Sequence, residues 1–277
     1  MKRESGSVRF LYGTMPGRCF LKVMTRPWLS KLGGAALSTK FSARFAKGFA
    51  RKNGIDMARF QSGPYSSFND FFTRRLKCDA FTDLQQGETL YSPCDGKASA
   101  YRIQEGLVFS IKGSTYRLEE LLGDAALAET YRGGTALVLR LSPEDYHRYC
   151  YIDDGEILQY REISGKLHAV RPIVHHYYPV FSQNARVVTV MKTARLGKLT
   201  QVEVGALMVG KICNYKQSGR VSFGEEKGYF AFGGSTIVLL LDSACAEVSE
   251  EIFQAAQEGE EVLVQVGAAI GRGIKES

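Results

Sequence analysis

An α+β fold, a β-rich body preceded by basic amphipathic helices, is predicted for this 277-residue chain by three features of its sequence. Beyond about residue 88, short β-branched and aliphatic runs alternate with glycine-bearing turns, a spacing that suits strands. Ahead of that point, apolar residues recur every three or four positions, which is helical periodicity. The charge also changes sign along the chain: residues 1–79 hold 16 Lys and Arg against 4 Asp and Glu, and the remaining 198 hold 20 against 25. With 44% apolar and 23% charged residues, the composition is that of a globular protein of one large domain or two small ones. Its longest apolar runs, such as 136–139 and 237–241, fall far short of the roughly 20 residues needed to span a bilayer.

In the head, Leu21, Met24 and Trp28, then Leu37, Phe41, Phe45 and Phe49, mark helices, with Lys40, Arg44, Lys47, Arg51 and Lys52 between the aromatic positions. Ser38 or Thr39 is placed to cap the second helix, and Asn53-Gly54 to stop it. Basic helices with an aromatic face either lie in a membrane interface or pack that face on their own domain. The charge asymmetry tilts the choice toward an anionic surface. No nucleic-acid-reading motif accompanies the charge, and the first thirty residues contain no apolar stretch of signal-peptide length. The head is assigned to residues 1–60 and the body to 61–277. Ser67 is placed to cap a short helix carrying Phe68, Phe71 and Phe72 that joins the two. In the body, strands are expected at 97–103, 107–111, 135–141, 187–192, 199–204, 230–232, 236–241 and 261–266, and helices at 118–129 and 247–257. The six cysteines include no CxxC pair, so neither a metal site of the usual spacing nor a disulfide framework is indicated.

Three segments concentrate chemically useful side chains. Ser92-Pro93-Cys94-Asp95-Gly96-Lys97 reads as a tight turn entering a strand, and it would hold the Asp95 carboxylate rigidly enough to orient an imidazole. Residues 141–151 end an apolar strand and bring Asp145, His147, Arg148 and three tyrosines together, making His147 a general-base candidate. Phe232-Gly233-Gly234-Ser235-Thr236 reads either as an ordinary turn or as a nucleophile behind an unhindered carbonyl. Given a base, the Ser235 hydroxyl can turn on the carbonyl of Gly234. The Gly-x-Ser-x-Gly elbow of α/β-hydrolases is missing. His175-His176 point to opposite sides of an extended segment and make a poor chelate. Val190-Met191-Lys192-Thr193 faintly resembles the lysine hairpin of biotin- and lipoate-carrying domains, although Thr stands where a biotinyl domain has Met.

Together with 65–77 (containing Phe-Asn-Asp-Phe-Phe-Thr-Arg), 202–210 and Gly224-Glu225-Glu226-Lys227-Gly228, these segments resemble, in the family's own order, the pyruvoyl-dependent phosphatidylserine decarboxylases. The resemblance implies a self-cleaving proenzyme. Ser235 would attack Gly234, releasing a β chain (1–234) and an α chain (235–277) that stay associated, and Ser235 would become a pyruvoyl group. That group would form a Schiff base with phosphatidylserine and hold electrons as CO₂ leaves, giving phosphatidylethanolamine. Asp95 and His147 match the triad positions beside Ser235, and no metal is implied. Many members carry a second histidine three positions after the first, in a Tyr-His-Arg-x-His pattern. Here Tyr-His-Arg-Tyr-Cys puts Cys150 there. Either His147 serves both steps, or His168 enters the site. The implied partners are phosphatidylserine and an anionic membrane, with peripheral attachment on the cytoplasmic face of the cell membrane and room for a homo-oligomer. The remaining alternatives are a pyruvoyl enzyme for another amino-acid-like substrate and an uncleaved lipid-binding or carrier module.

Overall fold

The computed structural model describes residues 6–25, 27–111, 114–170, 174, 177–206, 211–233 and 235–274. Gly234, His175, His176 and residues 207–210 lie outside the described residues. The centre is an eight-stranded antiparallel sheet in the spatial order β11 (Gly219–Val221), β7 (Gly155–Ile163), β8 (Arg186–Thr193), β9 (Lys198–Gly205), β13 (Ser235–Leu241), β5 (Thr135–Leu141), β2 (Gly96–Arg102) and β15 (Val262–Val264). A three-stranded sheet of β10 (Ile212–Asn214), β12 (Glu226–Phe230) and β6 (Arg148–Cys150) accompanies it. A second is built from β1 (Thr89–Tyr91), β16 (Ala269–Gly273) and β14 (Ala246–Val248), and β3 (Val108–Ile111) pairs with β4 (Ser114–Arg117).

The two apolar runs seen in the sequence are β5 and β13, and both faces of each are covered. Leu137, Leu139, Leu141, Ile237, Leu239 and Leu241 enter one core, with Tyr149, Phe230 and Ile252. Ala136, Val138, Val238 and Leu240 enter the other, with Tyr116, Leu121 and Phe181. Strands buried on both faces need no polar alternation, which is why these read as continuous runs.

The head differs from its expected two helices. It holds α1 (Gly6–Gly13), α2 (Met15–Met24), α3 (Pro27–Leu37), a 3₁₀ turn over Lys40–Arg44, and α4 (Phe45–Lys52). Ser38 and Thr39 turn their hydroxyls back onto Gly34 and Ala36 carbonyls instead of capping forward. The switch between 3.0 and 3.6 residues per turn breaks the apolar stripe. Ala46 and Ala50 are buried against Phe68, Phe71 and Phe72, whereas Phe41 and Phe45 are exposed. Asn53-Gly54 ends α4 as expected, with Gly54 at φ 66°. Ser67 caps α5 (Phe68–Phe72), its hydroxyl accepting from Asp70 N at 3.1 Å. The head is also anchored to the body: Tyr12 and Leu21 are buried in the second core, and Tyr12 Oη accepts from Ala169 N.

Other boundaries moved for identifiable reasons. The helix expected over 118–129 is two, α6 (Leu118–Leu122) and α7 (Ala125–Glu129), because Gly123 is left-handed and Asp124 caps the second, accepting from Leu127 N. The strand expected at 230–232 runs earlier, over β12. The strand ahead of the last long helix is β14, and that helix, α8 (Glu250–Gln257), starts only after Ser249.

Gly123→Ala places a Cβ on a residue at φ 63° with Ile163 Cδ1 3.2 Å away. The expected loss is about 1–2 kcal/mol, or roughly 2–8 °C in Tm for a chain of this size. Thermal melting checks it.

Candidate active site

The ends of adjacent strands gather the three residues singled out from the sequence. Ser235 opens β13 and is paired with Leu141 on β5 and with Gly205 on β9. On the far side of β5, Lys97 pairs with Arg140, so Asp95 sits two residues before that register point, at the same end. The Ser142–Asp145 turn that leaves β5 is closed reciprocally: Ser142 N donates to Asp145 Oδ2 at 2.6 Å, and Asp145 N donates to Ser142 O at 2.9 Å. That turn delivers His147 to the strand ends.

His147 is fully buried, and its Nε2 lies 3.0 Å from Ser142 O. Its ring stacks on Phe72 at 4.0 Å, and Phe72 packs edge-on against Phe232, three residues before Ser235. Its main-chain carbonyl accepts from Phe230 N on β12. Burial, and then the nearby Arg74 charge, push the imidazole down to about 3, so it is neutral near pH 7. With Nε2 on a carbonyl, the tautomer with its proton there leaves Nδ1 as the free acceptor. Nδ1 is buried without a partner, and so is the Ser235 hydroxyl. Gly233, at φ 132°, gives the approach to Ser235 a backbone that residues with a Cβ rarely adopt.

Asp95 is held differently from the orienting role foreseen for it. Its carboxylate accepts from Arg59 (3.2 and 3.4 Å) and from Val266 N (2.9 Å), while His147 finds Ser142. Nothing in the sequence pointed to Arg59, which reaches Asp95 across 36 residues. His168 also comes to this end, from the opposite flank. Asn184 bonds its backbone on both sides and donates to the carbonyl of Gly205, the register partner of Ser235. The His168 ring stacks on Tyr178 at 4.6 Å with neither nitrogen bonded. Burial, and then Lys166, take it down to about 4. Cys150 is buried, and its N donates to Pro93 O in the Asp95 turn. Burial pushes its thiol well up, so it is an uncharged thiol and no substitute base. Met191 is core, and Lys192 belongs to the β8–β9 ladder rather than to a hairpin tip.

Sequence reasoning passed over one constellation. Glu203 and Lys227 form an ion pair of 2.7 Å with both side chains at 0% exposure. Asn214 Nδ2 donates to the other carboxylate oxygen at 3.1 Å, and Tyr149 Oη donates to Asn214 Oδ1 at 2.9 Å. The available signal was the charge in the middle of the apolar Val-Glu-Val segment at Glu203; Lys227 gave none. Among the described residues, no three His, Cys, Asp or Glu side chains converge to hold a metal ion.

The buried imidazoles give the fold a pH dependence with a definite sign. Unfolded, each ring takes a proton near 6.5; folded, His168 resists to about 4 and His147 to about 3. The unfolded chain therefore binds more protons across this window, and stability held above it is lost as pH falls. The expected slope is about 1.4 kcal/mol per pH unit for each ring. Melting curves taken from pH 7 down to 4 should show a falling Tm, with a shallower fall in His168→Phe. A Tm flat over that range would contradict it.

The model of the phosphatidylserine decarboxylase family matches residues 68–274. Over 270 residues the chain is 41% identical to phosphatidylserine decarboxylase proenzyme 2 of Clostridium acetobutylicum, covering 97% of this chain and 92% of that protein. Over 267 residues it is 40% identical to the phosphatidylserine decarboxylase proenzyme of Ruminiclostridium cellulolyticum, covering 94% and 89%. The proenzyme of Fusobacterium nucleatum is 36% identical over 272 residues, covering 96% and 91%. With a match over most of its length and relatives this similar end to end, the chain belongs to the phosphatidylserine decarboxylase family.

Proposed function

We propose that this chain is a phosphatidylserine decarboxylase proenzyme that cuts itself between Gly234 and Ser235 and then converts phosphatidylserine to phosphatidylethanolamine. The observation that carries the reading is the Ser235 hydroxyl, fully buried and unpartnered at the head of a central strand. That hydroxyl fits a prosthetic group made from its own side chain, since no hydrogen bond ties Oγ to the sheet. Ser235 Oγ adds to the Gly234 carbonyl, the C–N bond breaks, and an ester forms as the proton passes from Oγ to the Ser235 nitrogen. Loss of the Ser235 Cα proton then expels residues 1–234 as a carboxylate and leaves dehydroalanine. Water replaces its nitrogen, ammonia departs, and a pyruvoyl group caps residues 235–277. In the mature enzyme that group supplies an electron sink for the carbanion left when CO₂ departs.

The chain's own residues set the conditions for this. His147, neutral and with Nδ1 open, is the base for the Ser235 hydroxyl, and burial, with the Arg74 charge adding to it, keeps its ring unprotonated. Asp95 is the carboxylate of the set, fixed at the strand ends by Val266 N and Arg59. The aromatic side chains of Phe68, Phe72 and Phe232 exclude water from the bond being rearranged.

Residues 1–60 form the membrane-associating segment, with Arg59 reaching back to Asp95, and residues 61–277 form the catalytic domain. Residues 5–55 contain ten Lys and Arg and no acid, and each basic group near an anionic bilayer is worth about 1 kcal/mol. Attachment is peripheral, on the cytoplasmic face where anionic lipids are exposed; among the described residues no helix is long and apolar enough to cross a membrane. Phe41 and Phe45 are the inserted side chains, with the Arg44 guanidinium 3.3 Å above the Phe41 ring. A cleft of about 590 Å³ opens beside them, walled by Ala43, Ala46, Ala50 and Tyr65 with Arg44 and Lys47 among its lining residues.

Intact-mass measurement of the purified protein tests the chemistry. The expected small chain has 43 residues and weighs about 4.8 kDa at the mean residue mass, and its N-terminus resists Edman degradation but reacts with hydroxylamine. Ser235→Ala should abolish it, and His147→Ala should slow its appearance by about a hundredfold or more. A small chain that begins with an ordinary serine amine would overturn the reading.

For the membrane, deleting the head is a poor test, because it strips Ala46 and Ala50 from the cluster around Phe72. The double substitution Phe41→Ala/Phe45→Ala should instead lower co-sedimentation with phosphatidylserine-containing vesicles at least tenfold, given about 1.5–3 kcal/mol per buried Phe. Self-cleavage should continue at the wild-type rate. Unchanged vesicle binding would move the docking surface elsewhere.

A further inference from the structure

Resting on the self-cleavage reading, we propose that Glu203, with Lys227 and Asn214, is the positioning joint that aligns the two halves of the bond Ser235 attacks. The chain on the two sides of that bond comes from different sheets. Ser235 is carried by β13 in the eight-stranded sheet, whereas the chain leading to residue 233 comes off β12 in the three-stranded sheet. All three strands of the smaller sheet converge on the single Glu203 carboxylate of β9. Lys227 on β12 bonds one oxygen, Asn214 on β10 bonds the other, and Tyr149 on β6 reaches it through Asn214. Glu203 pairs in register with Ile237, and Gly205, two residues on, pairs with Ser235. The joint therefore lies on the same face of the sheet as Ser235, one side-chain step along the strand.

This ion pair is a poor way to gain stability. Among the described residues it alone has both partners at 0% exposure, and apolar residues of similar volume often serve a core as well or better. What bonded charges add is one permitted arrangement in place of several. Among the described residues the Lys227 ammonium has only the Glu203 carboxylate as a charge partner, with the Tyr149 and Tyr151 rings 5.8 and 5.9 Å from it. Gly228, next in line, fits β12 tightly onto β10, since a Cβ there would meet Cys213 O at 2.1 Å. Intramolecular attack needs the reacting atoms about 3–3.5 Å apart, and a 1 Å error can cost about a hundredfold. Once the bond is cut, Lys227, Glu203 and Asn214 all remain in residues 1–234, so the same joint keeps the new chain end beside the site.

The test is the double variant Glu203→Leu/Lys227→Met, which removes both charges and keeps the volume. Three readouts are taken: Tm, the rate at which the small chain appears, and that rate with hydroxylamine present. Hydroxylamine cuts the ester but not the amide. A positioning role predicts a Tm within a few degrees of wild type, cleavage at least tenfold slower, and no acceleration by hydroxylamine, because the ester is not being formed. A smaller slowing at a retained Tm overturns the proposal, as does release of the small chain by hydroxylamine at the wild-type rate. Should the double variant melt far below wild type, Glu203→Gln, which keeps the shape, carries the same rate and hydroxylamine criteria. A wild-type chain that stays whole overturns the Ser235 reading and this proposal together. A wild-type chain that cleaves beside an equally fast double variant overturns this proposal alone.

Discussion

The register of β13 between β5 and β9 is the constraint on which the site depends. Seven consecutive residues are paired on both sides, from Ser235 opposite Leu141 and Gly205 to Leu241 opposite Thr135 and Leu199. Because side chains alternate across a strand, a slip of one residue would exchange the two cores and put Thr236 where Ser235 stands. Leucines and isoleucine on one face, and valine and leucine on the other, make that slip prohibitive. The serine needs no hydrogen bond of its own to be placed accurately. The ladder places it, and its hydroxyl is left without a partner.

Around that strand end the protein keeps polar groups dry. Ser235, His147, Glu203 and Lys227 are all at 0% exposure, and each answers burial differently. The imidazole gives up its charge, and its basicity falls. Burial works against the Lys227 charge as well, but the carboxylate beside it supports the protonated form. The hydroxyl remains neutral and unpaired. An unsatisfied buried hydroxyl costs about 1–3 kcal/mol; Thr189 and Thr236 carry that cost as well, and what sets Ser235 apart is its place at the head of β13, directly behind a glycine. Arg74 shows the same economy: buried, it bonds the carbonyls of Glu144 and Asp145 through one nitrogen and lies over the Phe60 ring. It thereby fixes the turn that carries His147 and adds its positive charge to the burial that already holds the ring neutral.

Much of this was legible in the sequence, and the gaps have physical causes. β5, β13 and the Ser67 cap could be read because their signals are local: an unbroken apolar run, and a serine three residues before a free N–H. Residues 118–129 looked like one helix because periodicity does not register a single left-handed glycine at 123. The head looked like two helices because Leu37, Phe41, Phe45 and Phe49 recur every four residues, and that pattern does not register the 3₁₀ turn over Lys40–Arg44 that rotates the face and leaves Phe41 and Phe45 outside. Asp95, His147 and Ser235 were found as separate motifs, yet their partners were not. Arg59 and Val266 meet Asp95 only through the tertiary fold, which no local pattern encodes, and Ser142 meets His147 within a five-residue turn. Lys227 was hidden among the charges of Gly-Glu-Glu-Lys-Gly, where a turn is the natural reading, and only pairing with Glu203 from another sheet makes it a core residue.

The head and the site are less separable than the charge asymmetry suggests. Ser42 accepts a hydrogen bond from Phe68 N, Ala46 and Ala50 pack against Phe71 and Phe72, and Phe72 is the ring on which His147 stacks. A chain of contacts thus runs from the basic helix α4 through the short α5 to the imidazole, with no mobile linker in it. On the other flank, Tyr12 of α1 packs beside His168, whose backbone is tied through Asn184 to Gly205. Helices that carry the exposed aromatic and basic side chains are therefore also walls of the cores that hold the strand ends. An outer surface of aromatic and basic side chains and a buried polar site are then parts of one packing problem. The exposed Phe41 and Phe45 are thereby joined through Ala46, Ala50 and Phe72 to the ring of His147.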